Sequence, residues 1–314
     1  MKYLVFLFVF ASITGCSSQM AWVRNNTGSE QAQKDFNECK FESTKNSFVP
    51  YGTGISPISA GIQEGFQKST LMNQCMEAKG YFLISKTDLE KKKINRENTI
   101  NEYKIALANG EHGKALEITN QLINESPNEF GPYQGRGNVY FFMKKYNEAI
   151  SDYNKAISLG CKEIEVYIFK SQAFLELNEF DIAIESCNQG LKIEENATLL
   201  NFRAYAKNKT GNYDSALDDC NKSISLDSNK PNPYKNRGLA YFGKSQYEKA
   251  ITEFDKAINI DSKFYTAYAG RGDAFLKLGN KKRAIEDYKI ACDYGDKQSC
   301  SKITKLPSEY DLNP

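Results

Sequence analysis

The chain has one histidine, His112, and one tryptophan, Trp22, in 314 residues. A single imidazole cannot build a multi-histidine metal centre, and a serine or cysteine nucleophile has no second histidine to activate it. Charge of one sign is also lacking, with 41 Lys and Arg against 39 Asp and Glu. Without a basic excess there is little to neutralise a phosphate backbone, which argues against a nucleic-acid partner. Long apolar runs are missing too. The run from Tyr3 to Ile13 has eleven residues, short of the roughly 20 that span a bilayer as a helix. No P-loop, Gly-rich dinucleotide turn, HExxH pair or nucleophile elbow occurs, and carboxylate pairs such as Asp218-Asp219 fall inside helical patterns. No catalytic residue, metal ligand or cofactor is therefore expected. What is plentiful is ring: 19 Tyr and 19 Phe, in a chain that is 40% hydrophobic and 25% charged. That is the composition of one large or two smaller soluble cores.

Met1-Lys2 precede the apolar run, which ends in Ile13-Thr14-Gly15-Cys16. Charge, apolar stretch of signal-peptide length, small residues and cysteine follow in order, and the whole resembles the lipobox of bacterial lipoproteins. The resemblance implies a signal peptide over 1–15, removal before Cys16, and acylation of the Cys16 thiol and the new amine. With Ser17 next, it implies the periplasmic face of the outer membrane. Each buried CH₂ contributes about 0.8 kcal/mol, so several acyl chains hold where one is marginal. The membrane is then a partner through this anchor only, and 16–30 is a lipidated tether.

Residues 31–85 form a small helical module. One helix is expected from Gln31 to about Asn46 with Phe36, Cys39 and Phe41, and another from about Ile62 to Ala78 with Phe66, Leu71, Cys75 and Met76. FVPYGTGISPISAG lies between them, broken by Pro50, Gly52, Gly54 and Pro57. Two helices with so few apolar residues make a meagre core, and in an oxidising compartment a Cys39–Cys75 disulfide is the expected staple. Tyr81 to Ile84 is extended or packed back on the helices.

From there a 34-residue phase takes over. Gly238 is preceded by Arg237, and the same place is held by Gly272, Ala204, Ser171 and Gly137. In Pro231 to Phe264 the small residues Gly238, Ala250 and Ala257 stand in register with Tyr234, Tyr241 and Phe254. This unit resembles the tetratricopeptide repeat (TPR). Working outward, repeats are expected at 96–129, 130–163, 164–196, 197–230, 231–264 and 265–298, the first degraded at Tyr103. The resemblance implies paired helices A and B that cannot bury their own apolar faces and so stack on their neighbours. The fold expected is thus all-α, an α-solenoid over 86–298 behind the stapled module, with Lys86 to Asn95 as a linker.

Comparison between repeats assigns the charges. Arg136, Arg203, Arg237 and Arg271 take place 7, and sixteen residues on from each lies Asp152, Asp219, Glu253 or Asp287. The repeat with Lys170 instead has Ser186. Four structural ion pairs between A and B helices follow, with a ligand-binding arginine ladder as the alternative. At roughly 100° per residue, places 2, 5, 9, 12 and 13 of helix A turn the other way, toward the concave groove that the TPR likeness implies. They hold Gln134, Asn138, Phe141, Phe142, Ile168, Gln172, Leu175, Asn201, Tyr205, Asn208, Lys235, Leu239, Phe242, Asp273 and Leu276. Apolar groups interleaved with amides suit a protein or peptide ligand. The Lys/Asn/Lys/Arg clamp that some TPR proteins use on C-terminal carboxylates is missing at its places, which disfavours an acidic tail.

After Ala291, Cys292 and Cys300 flank a turn at Gly295-Asp296. Their spacing resembles Sel1-like cysteine-rich repeats, which implies a Cys292–Cys300 disulfide beside a capping helix from Cys300 to about Thr304. Residues 299–314 are cap and tail. Cys187 and Cys220 share place 24 in consecutive repeats, where stacked helices stand too far apart for a disulfide. They are expected as buried small hydrophobes. Cys161 is left over in a turn, exposed, and His112 faces solvent in another. The function expected is an adaptor binding a protein partner in the groove. Alternatives are a self-associating structural lipoprotein, as a homodimer, and peptidoglycan or small-ligand binding by 31–85.

Overall fold

A computed structural model describes residues 6–8, 20–23, 34, 35, 37–39, 71, 74–79 and 82–306. Cys16, the Pro50 to Pro57 loop and the 308–314 tail lie outside them. The chain divides into two compact units, Met1–Tyr133 and Gln134–Pro314, each taken by itself below.

The expected fold of paired, stacked helices is present, and the first unit adds a short sheet to it. Strands β1 (Phe6–Phe8), β2 (Met20–Val23) and β3 (Phe82–Ser85) form an antiparallel sheet in that order. Trp22 stands opposite Phe6 on one side and Leu83 on the other. The supposed tether therefore contains a strand. Met20 to Val23 and Phe82 to Ile84 are too short for helices and rich in residues that favour a pleated surface. Helical backbone is present at Lys34, Asp35, Asn37–Cys39 and Gln74–Ala78, and Cys39 is bonded to Cys75 across 36 residues with Cα atoms 5.5 Å apart. Cys39 and Met76 are buried. Lys79 reaches from the second segment to Glu38 at 3.0 Å and to buried Asp35 at 3.7 Å. A loop of that length makes the disulfide worth roughly 3–4 kcal/mol.

β3 leads straight into a 23-residue helix, Lys86–Ala108. Residues 86–95 are thus helix rather than linker, since they hold neither Gly nor Pro to stop one. This helix packs on His112–Glu125 around Ala106, Ala115, Ile118 and Leu122. Arg96 closes the pair, donating to Ser126 Oγ at 3.1 Å and meeting Glu129. The compact units accordingly part at Tyr133, not at residue 86: repeat 1 continues the N-terminal region, and repeats 2–6 make up the second unit.

Every helix A of repeats 2 to 6 begins on the first residue of its expected repeat, the first of them being Phe130–Phe142. The others are Ile164–Glu176, Ala197–Lys209, Pro231–Gly243 and Tyr265–Lys277. Helices B are Tyr146–Ser158, Phe180–Leu191, Tyr213–Leu226, Tyr247–Ile260 and Lys281–Asp293. From Tyr146 onward consecutive helices of this unit contact one another, as do neighbouring A helices from Ile164 onward. Each A helix ends in one device. Place 15 is left-handed at Lys144, Asn178, Gly211, Ser245 and Gly279. The next N–H donates five residues back, as from Gln246 to Tyr241 O at 2.9 Å, satisfying a carbonyl that the helix end would orphan. The last helix, Lys297–Lys305, starts three residues before Cys300 because Asp296 caps it by accepting from Ser299 N–H at 3.1 Å. Cys292 and Cys300 are bonded, with Cα atoms 4.9 Å apart.

What seats B on A is a ring lying against a missing Cβ. A Cβ on Gly238 would come within 2.8 Å of the Phe254 ring, and one on Gly137 within 2.7 Å of Tyr153. Gly272 meets Tyr288 in the same way. Where place 24 is Cys187 or Cys220, place 8 carries Ser171 or Ala204. Among the described residues the free cysteines are Cys161, Cys187 and Cys220, and all are buried; Cys161 is thus not exposed, and its N–H donates to Ala156 O at 3.1 Å. Burial pushes the Cys187 thiol up to about 11 and that of Cys220 to about 12, so neither offers a thiolate.

Two substitutions should act in opposite directions. Gly238→Ala is expected to cost about 1–3 kcal/mol by overpacking against Phe254. Ser245→Gly should gain about 1 kcal/mol by removing a strained left-handed side chain. Thermal melts followed by circular dichroism would check both signs.

Candidate functional site

The four expected ion pairs are present, and three are two-pronged. Arg136 holds Asp152 through Nε and Nη2 at 2.8 Å each. Arg203 holds Asp219 at 2.9 and 2.6 Å, and Arg271 holds Asp287 at 2.9 and 2.7 Å. Arg237 places both nitrogens on one oxygen of Glu253, whose other oxygen takes Lys256. The remaining guanidinium nitrogen was not foreseen from the sequence. It reaches place 25 of the preceding repeat: Asn188 from Arg203 at 2.7 Å, Asn221 from Arg237 at 2.8 Å, and Asp255 from Arg271 at 2.5 Å. Two carboxylates hold Arg271 well above its ordinary value, Asp287 foremost. In repeat 3 the place-7 residue is Lys170, buried and without such a fork. Desolvation lowers its pKa, with Glu185 acting against that, and Ser171 donates to Ser186 instead at 2.9 Å.

These arginines face the A–B interface, so the opposite side of helix A is free for a ligand. A cavity of 430 Å³ opens there, lined by Gln172, Leu175, Glu176, Asn178, Asn201, Phe202, Tyr205, Asn232, Lys235 and Asn236. All but Asn178 come from the A helices of repeats 3, 4 and 5. A larger hollow of 720 Å³ follows one face of His112–Glu125, its described lining drawn from that helix alone. Among the described residues it brings no groups together from different elements. His112 beside it is half-buried, not solvent-facing, and its Nδ1 has no hydrogen-bond partner.

Five of the fifteen expected groove residues line the cavity: Gln172, Leu175, Asn201, Tyr205 and Lys235. Asn208 lies next to it, donating to Asn236 O at 2.7 Å. On one flank Phe141 packs edge-on against Phe142, Tyr146 and Phe169, leaving Phe142 about half exposed. Gln134 donates to Glu163 at 2.8 Å. Several others serve the core rather than the groove. Ile168 packs with Tyr167, Cys187 and Leu199. Leu239 and Phe242 pack around Phe254, and Leu276 is partly buried outside the cavity. Asn138 and Asp273 are corrected most clearly. Each accepts the phenol of its own B helix, Tyr153 at 2.9 Å and Tyr288 at 2.6 Å, and Asp273 also takes Lys302 of the last helix at 2.5 Å. Fifteen residues separate each pair, so both side chains turn toward helix B.

The lining residues that the sequence reading passed over are Glu176, Asn178, Phe202, Asn232 and Asn236. Glu176 and Asn232 occupy places 13 and 2, which the helical angle already put on the groove face. Asn236 carried a different signal, an amide at place 6 amid small and aromatic equivalents. It is 1% exposed; its Nδ2 donates to Asn201 Oδ1 at 2.8 Å and to Asn201 O at 3.2 Å, while its Oδ1 has no donor. Lys235 lies 5.3 Å from the Tyr205 ring centre. Burial, then the charge of Lys209, pushes its pKa down to about 8, with Cys220 opposing slightly. Chemically the cavity presents donors and acceptors of amide type on aromatic walls, with no nucleophile–base pair.

Family models match this unit directly. The tetratricopeptide repeat is matched at 132–159, 164–196, 197–230 and 265–294, and a TPR repeat model at 238–279; these segments are TPR repeats. A comparison with the curated proteins finds no match. Among solved structures, a tetratricopeptide repeat protein from Parabacteroides merdae is 17% identical over 87% of this chain and 98% of its own, with a TM-score of 0.54. PilW, a widely conserved type IV pilus biogenesis factor, is 13% identical over 66% and 97%, with a TM-score of 0.58. The Cut9–Hcn1 complex gives 21% identity over 65% of this chain and 41% of that one, with a TM-score of 0.55. At these identities the likeness is one of fold.

Breaking a fork should separate it from the exception. Asp219→Asn leaves Arg203 and Lys207 facing a neutral group in a buried setting and is expected to cost about 3 kcal/mol. Lys170→Met should be neutral or stabilising, since it removes a buried cation that no fork holds. Chemical denaturation of both variants beside the native chain would decide.

Proposed function

We propose that the chain is a non-catalytic scaffold that holds an extended segment of another protein along the A helices of its second unit, centred on the cavity over repeats 3 to 5. The observation that carries this reading is the lining. Side-chain amides at 172, 178, 201, 232 and 236 offer paired donors and acceptors that match a peptide backbone, and Asn236 Oδ1 is buried with a hydrogen bond to gain. The half-exposed Phe142 beside Phe169 adds an apolar foothold further along. The TPR repeats support a binding role of this kind. Catalysis is disfavoured, because the single histidine lies in the other unit and the free thiols are buried.

The location proposed is the outer membrane, periplasmic side, through acyl chains on Cys16, with a role in envelope assembly. The lipobox likeness supports it, and the two disulfides fit an oxidising compartment. Removal of residues 1–15 would take β1 away and leave β2 paired with β3 alone. No observation on the described residues favours self-association or ligand binding by 31–85, so neither is proposed.

Two measurements bear on these points separately. Asn201→Ala with Tyr205→Ala should abolish cross-linking of the chain to envelope proteins while leaving its melting temperature within a few degrees. Unchanged cross-linking would sink the groove reading. Growth with an alkyne-tagged palmitate should label the native chain and not Cys16→Ser; equal labelling of both would overturn the anchor.

A further inference from the structure

The centre of the groove holds two cations with no acid to meet. Lys209 and Lys235 lie 5.4 and 5.3 Å from the centre of the Tyr205 ring, and Lys235 lies 6.0 Å from that of Phe264. Their neighbours are matched: Lys207 meets Asp219 at 2.8 Å, Lys244 meets Asp214, and Lys256 meets Glu253 at 2.8 Å. Neither Lys209 nor Lys235 forms an ion pair with any described carboxylate. Cation–ring contacts recover only about 0.5–2 kcal/mol, less than a charge-assisted hydrogen bond to a desolvated partner returns. An independent observation points to the same place. Asn236 lines this cavity, is almost wholly buried, and keeps its Oδ1 without a donor while Asn201 holds its Nδ2.

We propose that the cavity selects an acidic residue, Asp or Glu, within an extended peptide. Its side-chain carboxylate lies between Lys209 and Lys235 at the Tyr205 ring, and a neighbouring main-chain N–H is given to Asn236 Oδ1. This rests on the groove reading above and adds the chemistry of one subsite to it. It also reverses the expectation against acidic ligands. That expectation followed the places of a known carboxylate clamp, whereas Lys209 sits at place 13, on the turn of helix A that brings it to Tyr205. The lowered pKa of Lys235, caused first by burial and then by Lys209, accords with a site that gains when an anion arrives. Glu176 lines the same cavity but pairs with neither lysine, so the charge there remains net positive.

The test uses the full chain against an immobilised library of C-terminally amidated random decapeptides, so that every carboxylate is a side chain. Retained peptides are expected to be enriched about tenfold in Asp or Glu at one position. That preference should vanish in Lys209→Met and in Lys235→Met, and changing the selected acid to its amide should weaken binding about tenfold. Lys209 is exposed, so its variant keeps the test valid should Lys235→Met disturb packing. Retention of peptides without acidic preference, or a preference unmoved by both variants, overturns the subsite while leaving the groove intact. Retention of no peptide at all overturns the scaffold reading and the subsite with it.

Discussion

Repeats 2 to 6 depend on one contact, the side chain at place 24 of helix B pressed on the small residue at place 8 of helix A. The sizes at the two places are coupled. Gly137, Gly238 and Gly272 lie under Tyr153, Phe254 and Tyr288, while Ser171 and Ala204 go with Cys187 and Cys220. In a close-packed interior a ring at place 24 requires glycine beneath it, whereas the small cysteine leaves room for a Cβ. Cys187 and Cys220 are thus small core residues, each opposite a partner slightly larger than glycine. Repeat 1 has the sizes reversed, with Tyr103 at place 8 and Thr119 at place 24, which is why its pattern reads as degraded.

The same coupling decides what is left for a ligand. Place 9 lies beside the core residue of place 24, and a buried phenol needs an acceptor. Tyr153 takes Asn138 and Tyr288 takes Asp273, which commits both to structure. Phe254 needs none and is flanked by Leu239. Only over Cys187 and Cys220 is place 9 released, to Gln172 and Tyr205, and these two line the cavity. The place-9 side chains that reach the cavity are therefore the two that stand over cysteine.

A second tie runs along the stack. Each of Arg203, Arg237 and Arg271 grips its own helix B and the helix B before it, a span suited to a planar fork with five donors. Lys170 breaks the series with a point charge that cannot grip two helices. At the far end Lys302 on Asp273 and the Cys292–Cys300 bond hold the last helix in place, where a stack of repeats would otherwise fray.

By itself the sequence determined the phase of the repeats, the helix starts, the Arg–acid pairs and both disulfide partners, because each is a relation between residue types at fixed spacing. It also located half of the cavity lining, through helical angle alone. The strand at Met20–Val23, the burial of Cys161, the third partner of each arginine and the diversion of Asn138 and Asp273 were decided by tertiary structure. All four concern which neighbour a side chain meets across an interface. A repeat period places a residue on a face, but the shape of the facing core sets whether that residue is consumed within the fold or left for a ligand.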